Sequence, residues 1–287
     1  MKVLIFSSLI SPFSKKLEEL SIPFEVSRSY YNDIFIELPN SGNNAIRIYV
    51  NGIDIRNFDL IYFRNTQKFQ PFSSTIAQYL VANNIKFIDS HNYNVTAYDK
   101  LVQMMLLQIN NLPTPKTLFM SPEMLPEASD KIFSYFGEKF IMKACFASHG
   151  NHNYLIKNKT EYLNVVTDNP DKLFLFQEFI PNDYDYRLVT LGFRVEVIKK
   201  RSRVNTDSHL NNRYQGAVVE FVDKNGLDEI IKISEKAAEL YKTEVAGVDV
   251  VIDKTNNKSY ILEVNRAPDV LDEPTMEVLL SYLASIK

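Results

Sequence analysis

The segment GVDVVIDKTNNKSYILEVNRAPDV, Gly247–Val270, decides how the chain is read. Two apolar, β-branched runs flank the polar stretch KTNN, which spells an antiparallel hairpin. The second run begins apolar but finishes with Glu263, Asn265, Arg266 and then Pro268. Alternate side chains of an extended chain share a face. Glu263 and Asn265 are therefore expected on one face, with Leu262 and Val264 on the other, and Pro268 is expected to end the strand. A loop of about five residues would set Asp249 directly across from Glu263, near enough to share a ligand. Asp249, Glu263 and Asn265 would then form an all-oxygen cluster, which suits Mg²⁺ held by a few carboxylates beside nucleotide phosphates. A solvated acidic hairpin has the same pattern.

Two further constellations lie upstream. FLFQEFIPNDYDYR, Phe174–Arg187, starts as a strand apolar enough to be buried and ends in Gln177, Glu178, Asp185 and Arg187. Main-chain groups beside apolar walls commonly read adenine, with a carboxylate at hand for ribose hydroxyls. Lys143 sits between Ile141, Met142, Ala144 and Cys145. A buried lysine needs an anion, and a phosphate would serve; an edge-strand lysine that snorkels to water is the plainer reading. Neither G-x-x-x-x-G-K-[ST] nor G-x-G-x-x-G occurs, and Gly150 is the one glycine in the loop after Lys143. In VIKKRSR, Arg201 or Arg203 follows an inward-alternating strand and could face a developing negative charge. HLNNRYQG carries His209, Asn211 and Arg213 in a polar loop. Cys145, His149 and His152 have zinc-like spacing but no evident fourth ligand.

The rest of the chain sets the frame. With 287 residues, 45% of them hydrophobic and 23% charged, it is an ordinary globular chain. A net charge of −3 offers no electrostatic footprint for nucleic acid or an anionic membrane. The opening MKVLIFSSLISPFSKK is too short in its apolar run to span a bilayer and lacks a cleavage site. One cysteine precludes an internal disulfide and accords with a cytoplasmic location, expected by default. Strands and helices alternate up to about residue 95, implying a parallel sheet with ligands near the carboxyl ends of its strands. FDLIYFRN places Arg64 at such an end. From Asp183 onward the strands lengthen and look antiparallel. The expected class is α/β (α+β) in three parts: an N-terminal α/β domain (1–95), a central lid (96–180) and a C-terminal antiparallel-sheet part (181–287).

In this order, YDKLVQMMLLQINNLPTPKT, KFIMKACFASHG, FQEFIPNDYDYRLVTLG, IKKRSR with NNRYQGA, and AGVDVVID with YILEVNRAP resemble the ATP-grasp superfamily. The likeness is greatest to the RimK-like ligases, which add amino acids to peptide or protein carboxylates. It runs from about residue 96 to 270; the earlier part matches only as the family's Rossmann-like N-terminal domain. The resemblance implies that Lys100 and Lys143 contact ATP phosphates, with Ser148 and Gly150 in the lid loop. Gln177, Glu178, Phe179 and Ile180 would form the adenine hinge, and Asp185 would reach the ribose or substrate side. Arg201 and Asn211 would line the γ-phosphate and acyl-phosphate site. Asp249, Glu263 and Asn265 would hold two Mg²⁺, with Mn²⁺ as a substitute.

The implied reaction forms an amide through an acyl phosphate, releasing ADP and phosphate, on a peptide, protein tail or amino acid. A non-catalytic ATP-binding module is the alternative, and the oligomeric state is left open, a homo-oligomer included. Arg64, Arg187, Arg213 and Arg266 are the candidates for an anionic substrate. Three departures from the family pattern stand out: a glycine-poor lid loop, His209 where relatives often carry arginine, and Arg266 between Asn265 and Pro268.

Overall fold

The computed structural model describes residues 1–7, 11–31, 34–37, 46–64, 66, 69–93, 100–146, 151–203 and 217–286. The N-terminal region runs β1 (Lys2–Phe6), α1 (Pro12–Glu19), β2 (Glu25–Ser29), β3 (Ile34–Glu37), β4 (Arg47–Val50), β5 (Ile53–Asp54), β6 (Leu60–Phe63), α2 (Gln70–Ala82) and β7 (Lys86–Ile88). Strands β2-β1-β6-β7 form a parallel sheet, and β3-β4-β5 a small antiparallel one. Val3–Phe6 and Leu60–Phe63 are wholly buried, which is why both strands read as unbroken apolar runs. Ser11 starts α1 by accepting from the Ser14 N–H, with proline in the first turn.

Next come α3 (Lys100–Ile109), β8 (Thr117–Phe119), α4 (Ser129–Phe136), β9 (Phe140–Ala144), β10 (Asn153–Ile156), α5 (Lys159–Asp168) and β11 (Phe174–Glu178). Here β10-β9-β11-β8 make an antiparallel sheet, with α4 and α5 on the core of Phe140, Met142, Phe174 and Phe176.

The last region contains β12 (Tyr184–Leu191), β13 (Arg194–Ser202), β14 (Val218–Phe221), α6 (Asp228–Leu240), β15 (Val245–Ile252), β16 (Ser259–Asn265) and α7 (Glu273–Ser285). Its antiparallel order is β14-β13-β12-β15-β16. Gly192 and Phe193, both at positive φ (58° and 67°), make the tight turn from β12 to β13, as a two-residue hairpin loop requires.

Two packing relations position the site. Helix α3 lies with α6 under one face of the last sheet, where Met104 and Leu107 meet Leu188, Val248, Ile261 and Val264. Helix α7 instead joins the first and last sheets, packing Met276, Leu279 and Leu283 with Val3, Ile5, Leu60 and Tyr62 and with Leu191 and Val245. The carboxyl end of β6 therefore faces the segment between β16 and α7. Among the described residues, no helix is long and apolar enough to cross a membrane.

Candidate active site

The hairpin β15–β16 carries the site. Asp249 is indeed the cross-strand partner of Glu263, and Gly247 that of Asn265. The route to that register differs from the sequence reading. Ile252 pairs with Ser259, so the loop is the six residues 253–258, and the ladder then slips between Asp249 and Val250. The slip leaves Leu262 as an extra residue, so simple alternation fails: Ile261 and Val264 are both core residues, while Leu262 and Glu263 lie between them partly exposed. A bulge of this kind re-aims a side chain at a strand end. Asp253 closes the loop by accepting from Thr255 N–H at 2.8 Å and Asn256 Nδ2 at 2.8 Å.

Asp249 and Glu263 end a row that crosses four strands. Register pairs Lys199 with Arg187, Arg187 with Asp249, and Asp249 with Glu263. Directly opposed side chains share a face, so two cations and two carboxylates stand in line on the side of the sheet away from α3 and α6. Arg187 grips Asp249 side-on, with Nε to Oδ1 and Nη2 to Oδ2 both at 2.7 Å. Arg201 lies in the neighbouring row opposite Asp185. It donates from Nε to Asp185 Oδ1 at 2.6 Å, and its Nη2 sits 3.1 Å from Asp249 Oδ1. Burial pushes the Asp249 carboxyl up, but Arg187 and Arg201 outweigh it and hold the group below its usual range. Burial dominates at Asp185 and pushes it above that range against the pull of Arg201.

Glu263 makes no ion pair among the described residues. Asn265 Oδ1 accepts from Ala267 N–H at 3.0 Å, which turns the chain out of the strand. The donors offered here are two carboxylates and an amide oxygen, each oxygen with more than one acceptor site. That set fits a small hard cation such as Mg²⁺ rather than a soft one.

The central sheet meets this face through β9. Lys143 is buried and its Nζ donates to Leu262 O at 3.4 Å, beside Glu263. Burial lowers its pKa to about 8, partly offset by Glu263, while the positive charge of Lys100 pushes the same way as burial. The two lysines expected at phosphates thus feel one another. On β11, Gln177 turns inward to Thr117 Oγ1 at 3.1 Å, and the Glu178 N–H donates to Lys116 O at 2.9 Å. Phe179 lies under Lys139 with Nζ 4.5 Å from the ring centre, and Ile180 is buried. The following segment is tied to the hairpin loop by Lys254 N–H to Pro181 O at 2.9 Å. Ser148, Gly150, Asn211 and Arg213, with His149 and His209, lie outside the described residues. Cys145 is buried, and the His152 ring pairs with the Tyr154 hydroxyl at 3.0 Å.

On the substrate side, Arg64 is buried at the end of β6 and donates to Tyr62 Oη (3.1 Å) and Pro268 O (3.2 Å). The charge of Arg266 is felt by Asp89 and His91.

Sequence reasoning missed two positioning residues. Gln103 of α3 binds both main-chain groups of Val264, accepting from its N–H at 3.1 Å and donating to its carbonyl at 3.0 Å. It thereby completes an edge strand between Glu263 and Asn265; the only signal was a polar letter in LVQMMLLQI. Lys199, 5% exposed, donates to Asp269 O at 3.1 Å and pairs with the Asp272 carboxylate, the N-cap of α7. Its alternation with Arg201 was the available signal.

A probable alpha-L-glutamate ligase of Pasteurella multocida is 23% identical over 216 residues, covering 74% of this chain and 66% of that protein. A tetrahydromethanopterin:alpha-L-glutamate ligase of Methanocaldococcus jannaschii is 30% identical over 180 residues, covering 60% of this chain and 59% of that one. The chain thus spans less than two thirds of the length of either relative. Structures of the ATP-grasp ligase PsnB, one complexed with minimal precursor and one with minimal precursor, Mg and ADP, superpose with TM-scores of 0.70 at 17% and 16% identity. They cover 100% of this chain and 99% and 97% of theirs, so the fold is shared from end to end. The RimK-like ATP-grasp domain matches residues 97–278, and the chain belongs to that family.

Proposed function

We propose that the chain is an ATP-dependent carboxylate–amine ligase, forming an amide through an acyl phosphate with release of ADP and phosphate. The observation that carries this reading is the meeting of Lys143, from the central sheet, with the Leu262–Glu263 edge of the last sheet. A cation and an oxygen-bearing strand end then stand side by side, the two groups that a nucleoside triphosphate with its metal would need.

In this reading Lys100 and Lys143 bind ATP phosphates, and Gln177–Ile180 border the adenine. Ser148, Gly150 and Asn211 are proposed for the lid and γ-phosphate side. Asp249, Glu263 and Asn265 would hold Mg²⁺, as two ions with Mn²⁺ substituting, and the bound metal would neutralise charge on the phosphates. A substrate carboxylate attacks the γ-phosphoryl group and ADP leaves, because a free carboxylate is a poor acyl donor and its acyl phosphate, a mixed anhydride, a good one. Arg201, tied to Asp185 and Asp249, presents a fixed guanidinium to the charge that builds there. An amine then displaces phosphate. Closure of the central sheet over the last one excludes water from the acyl phosphate. Arg64, Arg187, Arg213 and Arg266 are proposed to favour an anionic substrate, a peptide or an amino acid. The glutamate-ligase relatives and the precursor-bound neighbours support that class. The N-terminal, lid and C-terminal parts are proposed to act as three units.

The test is ADP release in the presence of Mg²⁺ against pools of amino acids and acidic peptides. Substrate-stimulated release supports the ligase. Nucleotide binding with no stimulated turnover would make the chain a binding module instead.

A further inference from the structure

Of the four arginines proposed above to favour an anionic substrate, Arg64, at the end of β6, is the buried one among the described residues. It is 6% exposed, and the Phe13 ring lies beneath its guanidinium at 4.2 Å. Of its five N–H donors, described bonds engage one to Tyr62 Oη and one to Pro268 O, while Nε has no hydrogen-bond partner. No ion pair to it occurs among the described residues. Asp89 feels the charges of Arg64 and Arg266 but bonds to neither: its Oδ1 accepts from Val245 N–H at 2.8 Å, and its Oδ2 has no partner. A desolvated guanidinium left in this state is costly, and the planar fork it presents matches a carboxylate.

Its place in the fold links it to the ligand face. Pro268, whose carbonyl Arg64 holds, packs against Gly247. A Cβ built on Gly247 would lie 2.9 Å from Pro268 Cβ and 3.5 Å from Arg187 Cδ. Arg187 in turn grips Asp249. Arg64, Pro268, Gly247, Arg187 and Asp249 therefore form one contiguous line from the carboxyl end of β6 to the candidate metal ligands. Phe13 and Tyr62 wall the guanidinium on its apolar side.

We infer that Arg64 anchors a second, non-reacting carboxylate of the substrate, so that the site selects chains bearing two carboxylates. One carboxylate would be phosphorylated at the Asp249–Glu263 face while the other is held by the Arg64 guanidinium at the domain junction. This rests on the ligase reading. A purely structural Arg64 would only clamp Pro268 in place.

The probes are glutarate, with two carboxylates, and butyrate, with one. Each is titrated into the full chain saturated with Mg²⁺ and a non-hydrolysable ATP analogue. The readouts are calorimetry and the arginine Nε–H signals in ¹⁵N NMR. Glutarate is expected to bind wild type at least ~10-fold more tightly than Arg64→Gln. Butyrate affinity should change little, whatever the variant costs in melting temperature through its lost bond to Pro268 O. Equal glutarate affinity in the two proteins, or no preference for glutarate over butyrate in wild type, overturns the anchor. Arg64→Lys keeps a charge and a donor for Pro268 O; it should fold yet lose most of the glutarate preference, and full retention overturns the planar contact. Should both variants fail to fold, wild type decides alone: the Arg64 Nε–H signal must move with glutarate and not with butyrate, and a signal indifferent to both overturns the proposal. Intact nucleotide binding with no Arg64-dependent glutarate affinity removes only the anchor. Absence of nucleotide binding in wild type removes the ligase reading and the anchor together.

Discussion

Asp249 and Glu263 oppose each other across the last hairpin, yet among the described residues only Asp249 is bound into the protein by guanidinium groups. Asp249 is tied into the fold by its two arginines, and Glu263 has no such tie among the described residues. The two should therefore fail differently.

Glu263→Gln is expected to lower kcat on the order of 10²-fold or more while leaving the melting temperature near that of wild type. Asp249→Ala strands Arg187 and Arg201 without their shared counter-charge and should cost about 3–5 kcal/mol. Thermal melts paired with ADP-release assays separate the two. Retained turnover in Glu263→Gln would remove Glu263 from the ligand set.

Gly247→Ala tests the close approach behind the site. The added methyl meets Pro268 Cβ at 2.9 Å, and Pro268 is held by Arg64. Such overpacking should cost about 1–3 kcal/mol. It should also weaken Mg²⁺-dependent nucleotide binding, because Arg187 and the Pro268 segment must both move. A neutral substitution on both counts would contradict the tightness of this contact.

Gln103→Leu preserves bulk in the α3 core but abandons both main-chain groups of Val264. The expected loss is about 1–3 kcal/mol for buried groups left unpaired. Amide exchange should accelerate at Val264 more than at Val248 in the neighbouring strand. Uniform exchange across the hairpin would mean that Gln103 does not stabilise the edge.

Acidic conditions should favour this fold in one respect. Burial raises the pKa of Asp89 well above the usual range, and Glu244 adds to the effect; Glu244 itself is raised by burial although Ser90 donates to it twice. A carboxyl whose native pKa exceeds its unfolded value carries an extra proton in the native state between the two. Its contribution is complete below the ordinary carboxyl range and is lost as pH rises through the native value. Melting temperature should accordingly fall as pH rises above the ordinary carboxyl range, and Asp89→Asn should flatten that slope, at ~1.4 kcal/mol per unit of pKa offset. A wild-type profile as flat as that of the variant would place no titration at Asp89.

The sequence by itself determined the parallel sheet of the first 95 residues, the antiparallel last hairpin and the identity of its oxygen-bearing end. These follow from local pattern: apolar runs bounded by turn residues, and a polar strand end that no core can absorb. It also picked out Arg64, Lys143 and Arg201, since a charge inside an apolar run must meet a partner. The Asp249–Glu263 register came out right although the loop is longer than expected, because the bulge at Leu262 compensates for the added residue.

Only tertiary structure decided what those charges face. Arg187 lies 62 positions from Asp249, Gln103 161 from Val264, and Arg64 204 from Pro268. No periodicity reaches that far. Which sheet α3 and α7 pack on, and hence which side chains α7 brings to the domain junction, depends on shape matching between apolar faces that the sequence pattern leaves interchangeable. Burial then sets the electrostatics, pushing Lys143 down and Asp89 up, by removing water that the sequence alone assumes to be there.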